Sequence, residues 1–354
     1  MRILADLWRD GVFCPAAIDG RSNFFDENHI SIHGAVRRRA NAARHEEQMS
    51  RARRWTCLAA CAALLLLVVF VNPPTHTTLG YVLHKSAHPA VFALIALIYL
   101  NLAAEAAQWW KPYLGALSVV LVCGVGTEIA QSLLNRDPSI VDVVRDATGA
   151  VASLATALLV QRWVLMSRTL RVCLVLVATA ATLSAAMPLV WCLSAYATRD
   201  SLFPIILQYR SPLDMYFVKR GTGGVSGIDL PAEWAVRPGE KAIVVHLDNA
   251  KPGIRLFEPH PDWRGYTVLS FDMTNPNRIP IDLVVRVNAE AADYCDVRFE
   301  LPSRIRATLK LRLDEIHTAL ACRELDMSEV AGIALFVQQP MTRGEFYVSR
   351  IWLE

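Results

Sequence analysis

Long apolar runs fill roughly the first two hundred residues, and short alternating runs fill the rest. Five apolar segments stand out, at about 56–71, 87–104, 113–134, 139–160 and 169–197. A helix needs about 20 residues to cross a hydrocarbon core of roughly 30 Å. The first run, Thr56 to Val71, is a little short but almost free of polar groups; the fifth is long enough to tilt or to extend past a membrane. Any one run reads equally as a buried core helix, but five in succession predict a membrane-spanning bundle. From about residue 212 the period drops to two. Strands are predicted at 241–248, 253–258, 266–274, 281–288, 296–301, 307–314, 332–338 and 345–352. Asn249 to Gly253, Asn275-Pro-Asn277 and Gln339-Pro340 supply turn signals between them. Short strands at this spacing predict an antiparallel sandwich. Leu269, Phe271 and Met273 alternate with Val268, Ser270 and Asp272, as in a strand with one buried face.

Composition narrows the class. With 53% hydrophobic residues and a mean hydropathy of +0.29, intrinsic disorder is excluded as the dominant state. The net charge of +3, without a basic stripe interleaved with aromatics, gives no reason to expect a nucleic-acid partner. Charge is uneven: residues 212–354 hold 17 basic and 20 acidic side chains, against 19 and 13 before them. The domains expected are a basic cytoplasmic extension (1–55), a helical transmembrane domain (56–200), a linker (201–211) and an extracytoplasmic sandwich (212–354).

Orientation follows from arginines in short loops. Residues 36–54 carry seven, from Arg37 to Arg54, and the loop after the fourth run carries Arg162, Arg168 and Arg171. Both belong on the cytoplasmic side of a bacterial inner membrane, which puts the N-terminus inside and the C-terminal domain outside. Trp109 and Trp110 fit an interfacial belt at the inner end. Residues 1–48 show no apolar period, and Met49-Ser-Arg-Ala-Arg-Arg-Trp55 reads as an alternative start. The first run is read as a retained span, not a cleaved signal, because no small-residue cleavage pattern precedes Asn72-Pro73-Pro74.

Polar residues in or beside the spans carry the chemistry. They are His84, Lys85 and His88 at the start of the second span, Glu128 and Gln131 in the third, Arg136 in the turn, and Asp142, Arg145, Asp146 and Gly149 in the fourth. Ionisable groups in a bilayer are costly and usually face the bundle interior in pairs. Their spacings of three and four keep each set on one helix face. At 1.5 Å per residue, Glu128, Asp142 and Asp146 all fall about 6–12 Å below the outer end of their spans.

This set resembles the VanZ-like family of membrane proteins. That family has Asp-Lys-x-x-His opening a span, then Glu-x-x-Gln, an Arg, and Asp-x-x-x-Asn-x-x-Gly. Here Lys85 and His88 match with His84 in place of Asp; Glu128, Gln131 and Arg136 match; Asp142 and Gly149 match with Asp146 in place of Asn. The resemblance covers about residues 57–165. It implies a link to the bacterial cell envelope and, through the founding member, to glycopeptide resistance. It supplies no reaction.

Four roles stay open for the layer. It is a buried ion-pair network, with Lys85 on Glu128 and Arg136 on Asp142. Or it binds a polar headgroup through Lys85, His88 and Arg136. Or it catalyses, with Glu128 or Asp142 as base and His88 as proton shuttle. A metal on His84, His88 and Glu128 is opposed by the adjacent Lys85, and no metal or cofactor is expected.

The C-terminal region resembles galactose-binding-like jelly rolls of carbohydrate-binding modules. The carriers are Trp263-Arg-Gly-Tyr266 leading into Leu269-Ser-Phe-Asp272, Leu325-Asp-Met327 leading into Ile333-Ala-Leu-Phe336, and Phe346 to Trp352. Sugar binding needs exposed aromatic platforms, and Trp234, Trp263, Tyr266 and Tyr294 are the candidates; the same rings also read as core. Cys295 and Cys322 lie in this region, where an oxidising face would allow a disulfide. The fold class expected is thus multi-domain, an α-helical transmembrane bundle of about five spans plus an all-β antiparallel jelly-roll sandwich. The function expected is binding, or helping to process, an envelope glycan or lipid-linked precursor. The alternative is a membrane enzyme on a polyprenyl- or lipid-linked substrate, with Glu128, Asp142 and His88 as acid and base. Few spans and no evident inverted repeat count against a transporter.

Overall fold

The computed structural model describes residues 51–70, 77–103, 108–134, 138–220, 225–247, 252–289, 294–318, 325–338 and 344–354. Arg136 and Cys322 lie outside them. The chain divides into two compact units, Met1–Ala63 and Leu64–Glu354. The described residues of the first, 51–63, are all helical.

Five helices are long and apolar enough to cross a membrane: α1 (Arg51–Phe70), α2 (Thr78–Leu102), α3 (Lys111–Leu133), α4 (Ile140–Arg162) and α5 (Arg168–Leu202). Their starts follow local rules. The Thr77 hydroxyl accepts from the Gly80 N–H at α2, Pro112 sits in the first turn of α3, and the Ser167 hydroxyl accepts from the Leu170 N–H at α5. Helix α2 begins nine residues before the predicted 87. His84, Lys85 and His88 interrupt the apolar run but not the helix, so they lie two to three turns inside it. α2 and α4 touch backbone to backbone, since a Cβ at Gly149 would collide with the Pro89 carbonyl.

Eleven strands follow among the described residues. One antiparallel sheet runs β3 (Val225–Asp229), β4 (Lys241–His246), β11 (Glu345–Leu353), β6 (Val268–Asn275), β9 (Ile305–Arg312), with β1 (Ile205–Leu207) also on β11. The other runs β2 (Val218–Arg220), β5 (Gly253–Phe257), β10 (Val330–Val337), β7 (Ile281–Ala289), β8 (Tyr294–Leu301). Their facing residues share one core. Leu269, Phe271, Met273, Phe346 and Val348 come from the first sheet, and Ile254, Leu256, Leu283, Val285, Ile333 and Leu335 from the second. Each such side chain contributes about 1.5–3 kcal/mol on burial.

The eight predicted strands all form, with ends displaced by two residues at most. Three short strands escaped prediction, because three to five residues carry no periodicity. β1 lies inside the stretch expected to be a linker, and it pairs with β11. A short helix, α6 (Leu313–Thr318), takes the end of the predicted 307–314 strand, with Asp314 and Glu315 in its first turn.

The sandwich meets the helices through Glu258. Its Oε1 accepts from the Thr78 N–H at 2.6 Å and the Thr78 hydroxyl at 2.7 Å. The Tyr196 hydroxyl donates to Oε2, and Arg199 Nη1 donates to the Glu258 carbonyl at 3.0 Å. A carboxylate here also complements the positive end of α2. Glu258→Ala is expected to lower stability by about 2 kcal/mol, because several hydrogen-bond partners lose their acceptor together. Thermal unfolding of the detergent-purified chain checks this; an unchanged midpoint would show the joint to be unimportant.

A second ionic cluster lies on the first sheet. Arg306 donates to Glu240 Oε1 at 2.5 Å, to Asp272 Oδ2 at 2.7 Å and to the Trp234 carbonyl at 2.7 Å. The guanidinium holds the Glu240 carboxyl below its ordinary value of 4.5. Its stabilisation is therefore complete above that value and is lost as pH falls through the folded-state value. The sandwich should lose stability on acidification below about pH 4.5, and Arg306→Gln should flatten the dependence. Equal acid sensitivity in the variant would contradict this.

Candidate functional site

The polar layer is built by α2 and α4. Lys85 Nζ donates to Asp142 Oδ2, and Arg145 Nη1 donates to Asp142 Oδ1 at 2.7 Å. The Asp142 side chain is 2% exposed, while Lys85 keeps 22% and Arg145 35%. One helical turn deeper, His88 Nδ1 lies 3.2 Å from Asp146 Oδ1, both buried. The His84 ring meets the His88 ring edge-on, with centroids 5.5 Å apart. The expected Lys85–Glu128 pair does not form. Lys85 turns to Asp142 because α2 and α4 touch directly along this stretch.

Glu128 serves the start of α4 instead. Its Oε2 accepts from the Ser139 N–H at 2.5 Å, where a helix start favours negative charge. Gln131 Nε2 donates to the Val68 carbonyl of α1 at 3.2 Å. The structure thus brings Lys85, His88, Asp142 and Asp146 together and turns Glu128 and Gln131 to other partners. Arg145, which carries no motif of its own, completes the group; its i,i+3 spacing from Asp142 was the available signal. Among the described residues, Glu128 Oε1 and Asp146 Oδ2 are buried without a hydrogen-bond partner, which is unusual and costly for a carboxylate. Among the described residues, no group of three or more His, Cys, Asp or Glu is arranged to hold a metal ion.

The sandwich offers a second surface, the outward face of the five-stranded sheet. Alternation sets its residues, since those between them face the core. Gly332 sits between Phe257 and Asn288, and Ala334 between Arg255 and Arg286. Phe336 sits between Gly253 and Val284, and Tyr294 is opposite Asn288. Gly253 and Gly332 are buried, with Phe336 lying against Gly253 and the Asn288 side chain against Gly332, while Ala334 is half-buried between the two guanidinium groups. Arg286 lies 4.0 Å from the Tyr294 ring centroid and 5.4 Å from that of Phe336. It also holds Asp296 through two bonds of 2.6 and 2.7 Å. Arg255 is exposed beside Phe257, 4.7 Å from its ring centroid. Among the described residues, Asn288 Oδ1 is buried without a partner. Three aromatic rings and two guanidinium groups thus share one sheet face.

Of the four aromatic candidates, only Tyr294 lies on this face, at 49% exposure. Trp263 is not a surface platform. It is fully buried in the core, and its indole N–H donates to the His260 carbonyl at 2.7 Å. Trp234 packs with Ile228 and Ala235 on the other sheet, and Tyr266 packs against Phe203. Phe257, Phe336, Arg255, Arg286 and Asn288 were missed. Their signal was the small–small–aromatic series Gly332, Ala334, Phe336 at the outward positions of a strand. Cys295, buried in β8, is disulfide-bonded; its expected partner Cys322 lies outside the described residues. Cys57, Cys123, Cys173 and Cys192 are free thiols.

No protein-family model matches this chain. No characterised protein matches it by sequence either. Solved structures do resemble part of it. An exo-β-agarase is 14% identical with a TM-score of 0.35, covering 42% of this chain and 25% of its own. A family 11 carbohydrate-binding module from Clostridium thermocellum, solved with a β-1,3-1,4-mixed-linked tetrasaccharide, is 12% identical with a TM-score of 0.32. It covers 42% of this chain and 93% of its own. A family 16 carbohydrate-binding module is 12% identical with a TM-score of 0.28, covering 40% and 92%. The chain spans about a quarter of the length of the first two structures it matches.

Proposed function

We propose that this chain is a VanZ-like integral protein of the bacterial inner membrane that holds an envelope glycan on the outward face of its five-stranded sheet. The helices anchor it, with the N-terminus inside and the sandwich outside. The carrying observation is the grouping of Phe257, Phe336 and Tyr294 with Arg255 and Arg286 on one sheet face, around the small Ala334. A pyranose ring has flat apolar faces and a rim of hydroxyls, so it asks for aromatic walls beside fixed polar groups. Glycan rather than protein is favoured by rings already held by guanidinium groups, which cost little ordering on binding. The paired state of Lys85, Asp142 and Arg145 supports an anchoring and binding role for the membrane layer.

The test is a pair of substitutions in the full chain. Phe336→Ala and Arg286→Gln should each weaken retention on purified cell-wall polysaccharide by about tenfold. Trp263→Phe, a core change, should leave it unaltered in folded protein. Equal retention by all variants would remove the face from consideration.

A second reading, a membrane enzyme on a lipid-linked substrate, is favoured by the unpartnered oxygens of Glu128 and Asp146. It moves the base from Asp142, which both cations occupy, to Glu128 or to Asp146, which has His88 beside it. Under this reading Glu128→Gln or Asp146→Asn abolishes glycopeptide resistance while the protein still accumulates folded in the membrane. Resistance retained by both variants would end it.

A further inference from the structure

A groove of about 660 Å³ runs along the bundle between α2, α4 and α5. Its walls are small: Ser86 and Ala90 from α2, Gly149 and Ala152 from α4, Ala186 from α5, with Leu189 at one side. Leu94, Val144 and Leu183 stand exposed on the same three helices, so the groove is a local lack of bulk. From Ser86 to Leu97 it extends about 16 Å at 1.5 Å per residue, roughly half of a 30 Å hydrocarbon core.

The groove starts at the ionic layer. Ser86 follows Lys85 directly, and Gly149 lies one turn from Arg145 on the same face of α4. The layer is also lopsided there. The anion that joins the two cations, Asp142, is buried at 2% exposure, while Lys85 and Arg145 keep 22% and 35%. The more exposed members of the layer, Lys85 and Arg145, are therefore its cations, one residue and one helical turn from the groove's first lining residues, Ser86 and Gly149. A guanidinium beside an ammonium suits a phosphate, which accepts from both.

We infer that this groove holds the hydrocarbon chain of a phosphate-bearing membrane lipid, whose headgroup meets Lys85 and Arg145. The inference rests on the membrane-spanning reading above but not on glycan binding. A chain of carbons fills the small-walled channel that Leu or Val would close, and the phosphate sits where the cations are uncovered. The site differs from the sheet face, and lipid and glycan can be held at once.

The experiment uses the full chain in phosphatidylcholine vesicles, with spin-labelled phosphatidic acid or phosphatidylcholine of identical chain. Wild type should show a motionally restricted fraction that favours phosphatidic acid about fivefold. Arg145→Gln should bring the two lipids close to parity. Ala186→Leu, which fills the groove without touching charge, should shrink the restricted fraction for both. Equal restriction of both lipids by wild type overturns the inference, as does an unchanged fraction in Ala186→Leu. Both are read on protein that resists carbonate extraction. A chain that carbonate strips from the vesicles overturns the membrane reading itself, so the two failures are distinguishable.

Discussion

Alanine at Gly149 should destabilise the helical bundle by about 3 kcal/mol, at the upper end of what overpacking a closed contact costs. The added Cβ would fall on the Pro89 carbonyl, which is backbone and cannot swing aside as a side chain would. Helices α2 and α4 must then separate. Lys85–Asp142 and His88–Asp146, which bridge the same pair of helices, stretch with them. If the bundle spans a membrane as proposed, close approach of small residues is a main source of helix association, so little else compensates. Thermal unfolding in detergent, followed by loss of helical circular dichroism, reads the effect. Gly126 is the control, because a Cβ there meets nothing within 4 Å. Equal midpoints for Gly149→Ala and Gly126→Ala would show that the two helices are not held at this crossing.

The second large effect is expected at Asp142. Asp142→Ala leaves Lys85 and Arg145 facing each other across an empty site. Breaking a buried pair costs about 3–5 kcal/mol. The lower end applies here, since both cations keep some exposure and can turn toward water or headgroups. A double-mutant cycle with Lys85→Met separates the pair's coupling from the effect of lost volume. Strict additivity would mean that the ion pair contributes nothing. Asp142→Asn should cost less, because the amide still accepts one hydrogen bond.

The helices and most strands were legible because period and length carry them. Five apolar runs became five helices, and Leu269, Phe271 and Met273 do face the core. Helix starts were less legible. An apolar window cannot see that Thr77 caps a helix whose second and third turns are polar. Pairing within the polar layer was also hidden. Spacing puts Lys85 and Asp142 on definite faces of their own helices, but only the close contact at Gly149 and Pro89 decides which faces meet. The sheet face was least legible. Aromatic content pointed to Trp263, yet a large ring next to a turn is as useful to a core as to a surface. Phe257, Phe336, Arg255 and Arg286 come from different strands, and their grouping has no signature until the pairing of those strands is known.

The central claim is that the outward face of the five-stranded sheet holds an envelope polysaccharide. The most direct measurement is saturation binding of the detergent-purified full chain to a panel of cell-wall polysaccharides, beside an Ala334→Arg variant whose side chain blocks that face. The account predicts saturable binding of at least one glycan by wild type and its loss in the variant, with unchanged thermal unfolding. Binding that is equally strong in Ala334→Arg, or a wild-type chain that is folded and binds none of the panel, would contradict it.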